Sequence, residues 1–171
     1  METQLEHDVV LNDGRKVHVR PIRPADGDRL REGFVQLSLE SRVGRFLSPL
    51  RALSDADVRY LTEVDGVDHV AVVAVDPGSG RGLGVARYVR STRDPVAAEV
   101  AVTVAEDVRR RGLAEVLLST LADAARARGI EKLTAEVLSD NHRVRSLLRK
   151  LGARATQREG SVTLYAKPLA A

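Results

Sequence analysis

Apolar residues change their spacing several times along this chain, and each change predicts an element. Alternation with period two, the mark of a half-buried strand, runs through Val9 to Leu11 and Lys16 to Ile22. Between them lies Asn12-Asp13-Gly14, a hairpin turn. Strand-like stretches recur at His69 to Val75, Leu83 to Arg90, Val96 to Val104, Lys132 to Leu138 and Val162 to Tyr165. Helices are predicted from Pro24 or Ala25 to Leu37, from Glu40 to Phe46, from the capping segment Ser54-Asp55-Ala56-Asp57 to Glu63, and from Asn141 to Leu151. One more follows Gly112 and runs to Arg128, with Leu113, Val116, Leu117, Leu121, Ala124 and Ala125 on one face. The order is a hairpin, helices, an antiparallel meander, then strand–helix–strand–helix and a last strand. That predicts a single α+β (mixed α/β) domain over residues 1–171, built on one central sheet.

The junction between the third meander strand and the helix after it carries a chemical signal. Ala97-Ala98-Glu99-Val100-Ala101-Val102-Thr103-Val104 leads to Arg109-Arg110-Arg111-Gly112-Leu113-Ala114, which opens the helix. A helix start leaves amide N–H groups without partners and carries a positive dipole end. Flanked by arginines, it suits a phosphate or pyrophosphate. Gly112 permits close backbone approach, and Ala114 leaves the first turn open. Arg81-Gly82-Leu83-Gly84 is similar in letters, but it enters a strand and offers no helix dipole.

Composition narrows the chemistry further. The chain has no cysteine, which excludes disulfides, thiolate zinc sites and a cysteine nucleophile. Its four histidines show no paired ligand spacing, so no metal is expected. Aromatic residues make up only 3%, too few for base-stacking platforms, and the net charge of +3 comes from mixed signs. Nucleic acid is therefore not the expected partner. The polar, acidic start Met1-Glu2-Thr3-Gln4-Leu5-Glu6 lacks the features of a secretion signal, and no apolar run reaches membrane-spanning length. A cytoplasmic protein without a membrane partner is expected; nothing in the pattern fixes its oligomeric state.

The ordered set Glu99 to Val104, Arg109-x-x-Gly112-x-Ala114, Glu136-Val137-x-x-x-Asn141 and Leu151-Gly152-Ala153 resembles the GNAT superfamily of N-acetyltransferases. Upstream, Arg20-Pro21-Ile22-Arg23-Pro24-Ala25-Asp26, Leu37-Ser38-Leu39-Glu40-Ser41-Arg42 with Arg45-Phe46, and the Asp65 to Val75 segment are similar to bacterial protein-lysine acetyltransferases. These are often fused to an acyl-CoA-synthetase-like or cyclic-nucleotide-binding module, and neither is seen here. The resemblance implies a GNAT-like mixed sheet whose two central strands splay apart, flanked by helices. It implies acetyl-CoA as co-substrate, its pantetheine arm along the backbone of Val102, Thr103 and Val104. The amides of Arg109, Arg110, Arg111, Gly112, Leu113 and Ala114 would hold its pyrophosphate.

The implied reaction is direct attack of an amine on a thioester. A lysine-like amine is neutral in only about one molecule in 2,500 at pH 7, so a base is needed. The resemblance puts the base at Glu99; the alternative at that position is a solvated charge on a strand face. Glu136 is the rival, five residues before Asn141, where some relatives carry their base. Asn141 is expected to cap a helix and, by resemblance, to contact the coenzyme. His142 is given no chemistry. Many relatives have a tyrosine seven residues after the asparagine to protonate the leaving thiolate, and this chain has Leu148 there. Three readings stay open: acetylation of a protein lysine, acetylation of a small amine, and acyl-CoA binding without turnover.

Overall fold

The computed structural model describes residues 4–46 and 51–170; the start at Met1 to Thr3 lies outside them. The strands are β1 (His7–Val10), β2 (Lys16–Pro21), β3 (His69–Val75), β4 (Gly82–Arg90), β5 (Ala97–Val104), β6 (Lys132–Leu138), β7 (Arg154–Glu159) and β8 (Val162–Pro168). The α-helices are α1 (Gly27–Gln36), α2 (Leu39–Phe46), α3 (Asp55–Thr62), α4 (Leu113–Ala127) and α5 (His142–Lys150). The strands form one sheet in the order β1-β2-β3-β4-β5-β6-β8-β7. Among the described strands only β5 and β6 pair in parallel, joined by α4 as the crossover. This is the expected mixed α/β fold.

β3 sits inside this sheet, which explains its unbroken apolar sequence. Val70, Val72 and Ala74 face α4 and pack in the main core with Leu113, Leu117 and Leu121. Ala71, Val73 and Val75 face the other side with Ile22 and Val85. α1 and α3 cover that second face, joined through Phe34, Leu53 and Leu61. The three α4 leucines are each 0–1% exposed and contribute about 2 kcal/mol apiece by burial. Gly84 lets α4 lie close to β4: a Cβ there would stand 3.1 Å from the Leu117 side chain and 3.2 Å from the Thr103 carbonyl oxygen.

A buried ion pair fixes the entry to α1. Asp26 accepts two hydrogen bonds from the Arg20 guanidinium, at 2.7 and 2.8 Å, and one from the Arg23 amide at 2.8 Å. The carboxylate so occupied shapes Pro24–Asp26 into a 3-10 turn, where the sequence predicts the start of an α-helix. Ser54 caps α3 through a reciprocal capping box with Asp57, as expected.

Two corrections fall at the C-terminus. β8 runs to Pro168, three residues beyond the predicted end, because Ala166, Lys167 and Pro168 still pair with β6. β7 is absent from the sequence reading. Its six residues are all exposed, so it has no buried face to produce alternation.

Candidate active site

β5 and β6 are hydrogen-bonded across three residue pairs only: Ala97 with Lys132, Ala98 with Leu133, and Glu99 with Thr134. Beyond Glu99, β5 stays with β4 up to the Gly84–Val104 pair, while β6 stays with β8 up to Leu138–Val162. The two strands therefore diverge, and the facing edges of Val100 to Val104 and Ala135 to Leu138 have no strand opposite them. A cavity of about 500 Å³ opens in the fork, walled by both strands and by α2, α4 and α5. At its mouth Lys150 of α5 bonds Glu115 of α4 at 3.0 Å.

Glu99 is the last paired residue, at the apex of the fork. Side chains alternate along strands, so Glu99, Thr134 and Glu136 share one face of the sheet. Both glutamates line the cavity. Glu99 is exposed to the cleft, whose walls bury it in part. This burial is the main cause pushing its carboxyl above the ordinary glutamate value; the charge of Glu136 adds to the shift and Arg45 opposes it. Arg45 comes from α2, which lies over β5, and lines the same cavity. Sequence reasoning found its helix and missed its role. The charge three positions after Arg42 was visible, but its placement over β5 is a long-range event.

The basic turn lies at the other end. Gly112 adopts φ +87° and precedes α4, whose start no side chain caps. Arg110 also has positive φ, at +60°. The three arginines part here. Arg109 turns inward, donating to the Val104 carbonyl at 3.3 Å and to Ser41 Oγ at 2.8 Å, and so ties the turn to α2. Arg110 is exposed and lines the cleft. Arg111 does not line it, and pairs with Asp13 at 3.3 Å. The β1–β2 turn braces the loop a second time, as the Asn12 amide donates to the Arg111 carbonyl at 3.1 Å. From sequence alone the Asn12-Asp13-Gly14 turn predicts only a hairpin. Arg143, on the α5 side of the cleft, also went unremarked and adds positive charge near Arg109.

Val102, Thr103, Val104, Leu113 and Ala114 line the cavity as well. Leu113 gives its side chain to the core, which leaves only its backbone to the cleft. Asn141 caps α5, its Oδ1 accepting from the Val144 amide at 3.3 Å, and it reaches the cavity wall. His142 is exposed and lies off the wall. Leu148 is 7% exposed and packs with Ala135, Val137, Ala153 and Tyr165. Among the described residues no cluster of three or more His, Asp or Glu is placed to hold a metal. None of the described helices is long and apolar enough to cross a membrane.

A sheet with diverging parallel strands and a basic helix start at the open end limits the families that fit. The sequence profile of the Acetyltransferase (GNAT) family matches residues 48–153. The chain belongs to this family. Its domain is an acetyltransferase domain of this family, whose acetyl donor is acetyl-CoA. The GNAT domain of S. lividans PAT superposes with a TM-score of 0.92 at 34% identity, covering 99% of both chains. Acetyltransferase Pat of Mycolicibacterium smegmatis is 36% identical over 113 residues, 64% of this chain and 33% of its own length. An acetyltransferase of Pseudomonas aeruginosa is 36% identical over 110 residues, 63% of this chain and 59% of its own. The matched region thus spans a third to three fifths of those two relatives.

Proposed function

We propose that this acetyltransferase carries acetyl from acetyl-CoA directly to the lysine amine of a protein, with Glu99 as the base. One observation carries the reading. The fork puts a carboxylate of raised pKa at its apex and an uncapped, arginine-flanked helix start at its open end. Five residue steps along the strand, about 16 Å, separate Glu99 from Val104. Along them runs a strand edge free to bond an extended arm.

The residues fit the donor. The amides at the α4 start, from Gly112 to Ala114, hold the pyrophosphate, with Arg110 and Arg143 adding charge. The edge of Val102 to Val104 bonds the pantetheine amides as a neighbouring strand would. Arg109 acts mainly by holding the turn against α2. Arg111 does so by holding Asp13.

At the apex, Glu99 takes the proton of the acceptor amine, directly or through water. Burial raises its basicity toward that of the amine. Glu136, on the same face, supplies a second negative charge that favours a cationic acceptor. The amine nitrogen bonds the acyl carbon and the carbon–sulfur bond breaks. The thiolate leaves with an ordinary pKa near 8.5 and takes its proton from solvent. Leu148, an apolar side chain on the cleft wall, gives none.

A protein acceptor is supported by the likeness to the S. lividans PAT domain over 99% of the chain and to Pat over 64% of it. Cell extract incubated with isotope-labelled acetyl-CoA tests it, read by mass spectrometry with the parent protein and with Glu99→Gln. Label on protein lysines with the parent, and a loss of at least about 100-fold with the variant, is expected. Label on small amines alone would replace the protein acceptor. Full activity of Glu99→Gln beside an inactive Glu136→Gln would move the base to Glu136.

A further inference from the structure

A second, smaller cavity of about 100 Å³ lies under α1, on the sheet face that carries Glu99. Its walls are largely aliphatic, including Leu30, Leu61, Val73 and Val85. Arg45 and Thr103 line both this cavity and the main cleft. Arg87 enters it from β4, where it pairs in register with Ala101, a cleft residue.

Arg87 is 4% exposed, and its charge is poorly answered. One guanidinium nitrogen donates to the Leu61 carbonyl at 3.0 Å and to His69 Nε2 at 2.9 Å. His69 is pushed down to about 4 by burial and by Arg87 itself, so it is a neutral acceptor at pH 7. Among the described residues no carboxylate pairs with Arg87. The acid of this cavity, Asp26, is occupied by Arg20. Arg45 adds a second positive charge nearby, and Arg29 lines the cavity too, bonded to the Gly80 carbonyl and to Asp26. A buried guanidinium facing an apolar cavity without a counter-charge is costly unless an anion answers it.

We propose that this cavity receives the tail of a longer acyl group, one whose terminal carboxylate pairs with Arg87, as in a succinyl thioester of CoA. The inference rests on the donor reading above. The aliphatic walls cover the methylenes, the bidentate geometry of a guanidinium suits the carboxylate, and the small volume excludes a long fatty chain. The transfer itself is unchanged. The amine forms the carbon–nitrogen bond, the carbon–sulfur bond breaks, the thiolate takes up a proton, and the carboxylate stays a spectator.

Calorimetry on the intact protein tests this with acetyl-CoA, butyryl-CoA and succinyl-CoA. Butyryl has the same carbon count as succinyl and no charge. Succinyl-CoA is expected to bind at least about tenfold tighter than butyryl-CoA, and Arg87→Gln to abolish that ratio. Equal or tighter binding of butyryl-CoA by the parent protein would overturn the proposal, whatever the variant does. So would a ratio unchanged in an Arg87→Gln protein that melts cooperatively. Tight binding of free succinate to the acetyl-CoA complex would overturn it as well, assigning the carboxylate to a separate small acid. Failure of acetyl-CoA itself to bind would instead bring down the donor reading.

Discussion

Two glutamates share one face of the sheet, and their surroundings separate them. Glu99, partly buried at the apex, has its carboxyl raised by that burial, with Glu136 adding and Arg45 opposing. A base works only when ionised, so activity falls as pH drops through its pKa. The acid limb of kcat/KM is therefore expected above the ordinary glutamate range. Arg45→Gln removes the one influence that lowers this pKa and should move the limb to higher pH; a limb that moves down would contradict the assignment. On α5, Leu148 occupies the place where many relatives keep a tyrosine. It packs against Tyr165 and lines the cleft wall, so Leu148→Tyr crowds both that cluster and the cleft beside it. A loss of about 1–3 kcal/mol is expected in urea unfolding, with no gain in rate. A faster variant of parental stability would show that proton supply to the thiolate limits turnover.

The turn before α4 works as an element because several parts hold it. Gly112 takes a left-handed backbone angle, and any Cβ there would sit 3.3 Å from the Asn12 side chain. Gly112→Val should weaken acetyl-CoA binding by at least about tenfold in calorimetry while circular dichroism stays native. Unchanged affinity would remove the anion site from this turn. Asp26→Asn breaks the buried pair with Arg20 and should cost about 3–5 kcal/mol, measured by chemical denaturation. Most of this element was legible from sequence. Arginines and glycine between a period-two strand and a period-3.6 helix give the proposed anion site from local rules. The parting of Arg109, Arg110 and Arg111 was not legible, since it depends on the positive φ of Arg110 and on contacts from Ser41 and Asp13, distant in sequence. β3 and β6 were read with their observed ends because their apolar residues are buried. β7 was not read, because every side chain on it meets solvent. Glu99 and Glu136 were visible as candidates, but their shared face follows from strand register, which no single segment encodes.

At the scale of the whole molecule, five strands lie on one side of the fork and three on the other, and the backbone joins them through three residue pairs. In mechanical terms this is a notched plate. Bending compliance concentrates at the root of the notch, where Glu99 stands, while each half stays stiff through its own pairings and, on the β1–β5 side, through α4 packed across β3, β4 and β5. A ligand lying along the edge of β5 would act as a splint across the weakest section. Its stiffening should appear as slower amide hydrogen exchange from Val100 to Val104 on addition of CoA, with little change in β1 and β2. A protein whose exchange slows uniformly, or not at all, would not be splinted there. On this view the gap proposed for the donor is also the joint at which the proposed base stands, so a splint in the cleft would stiffen the strand that carries Glu99.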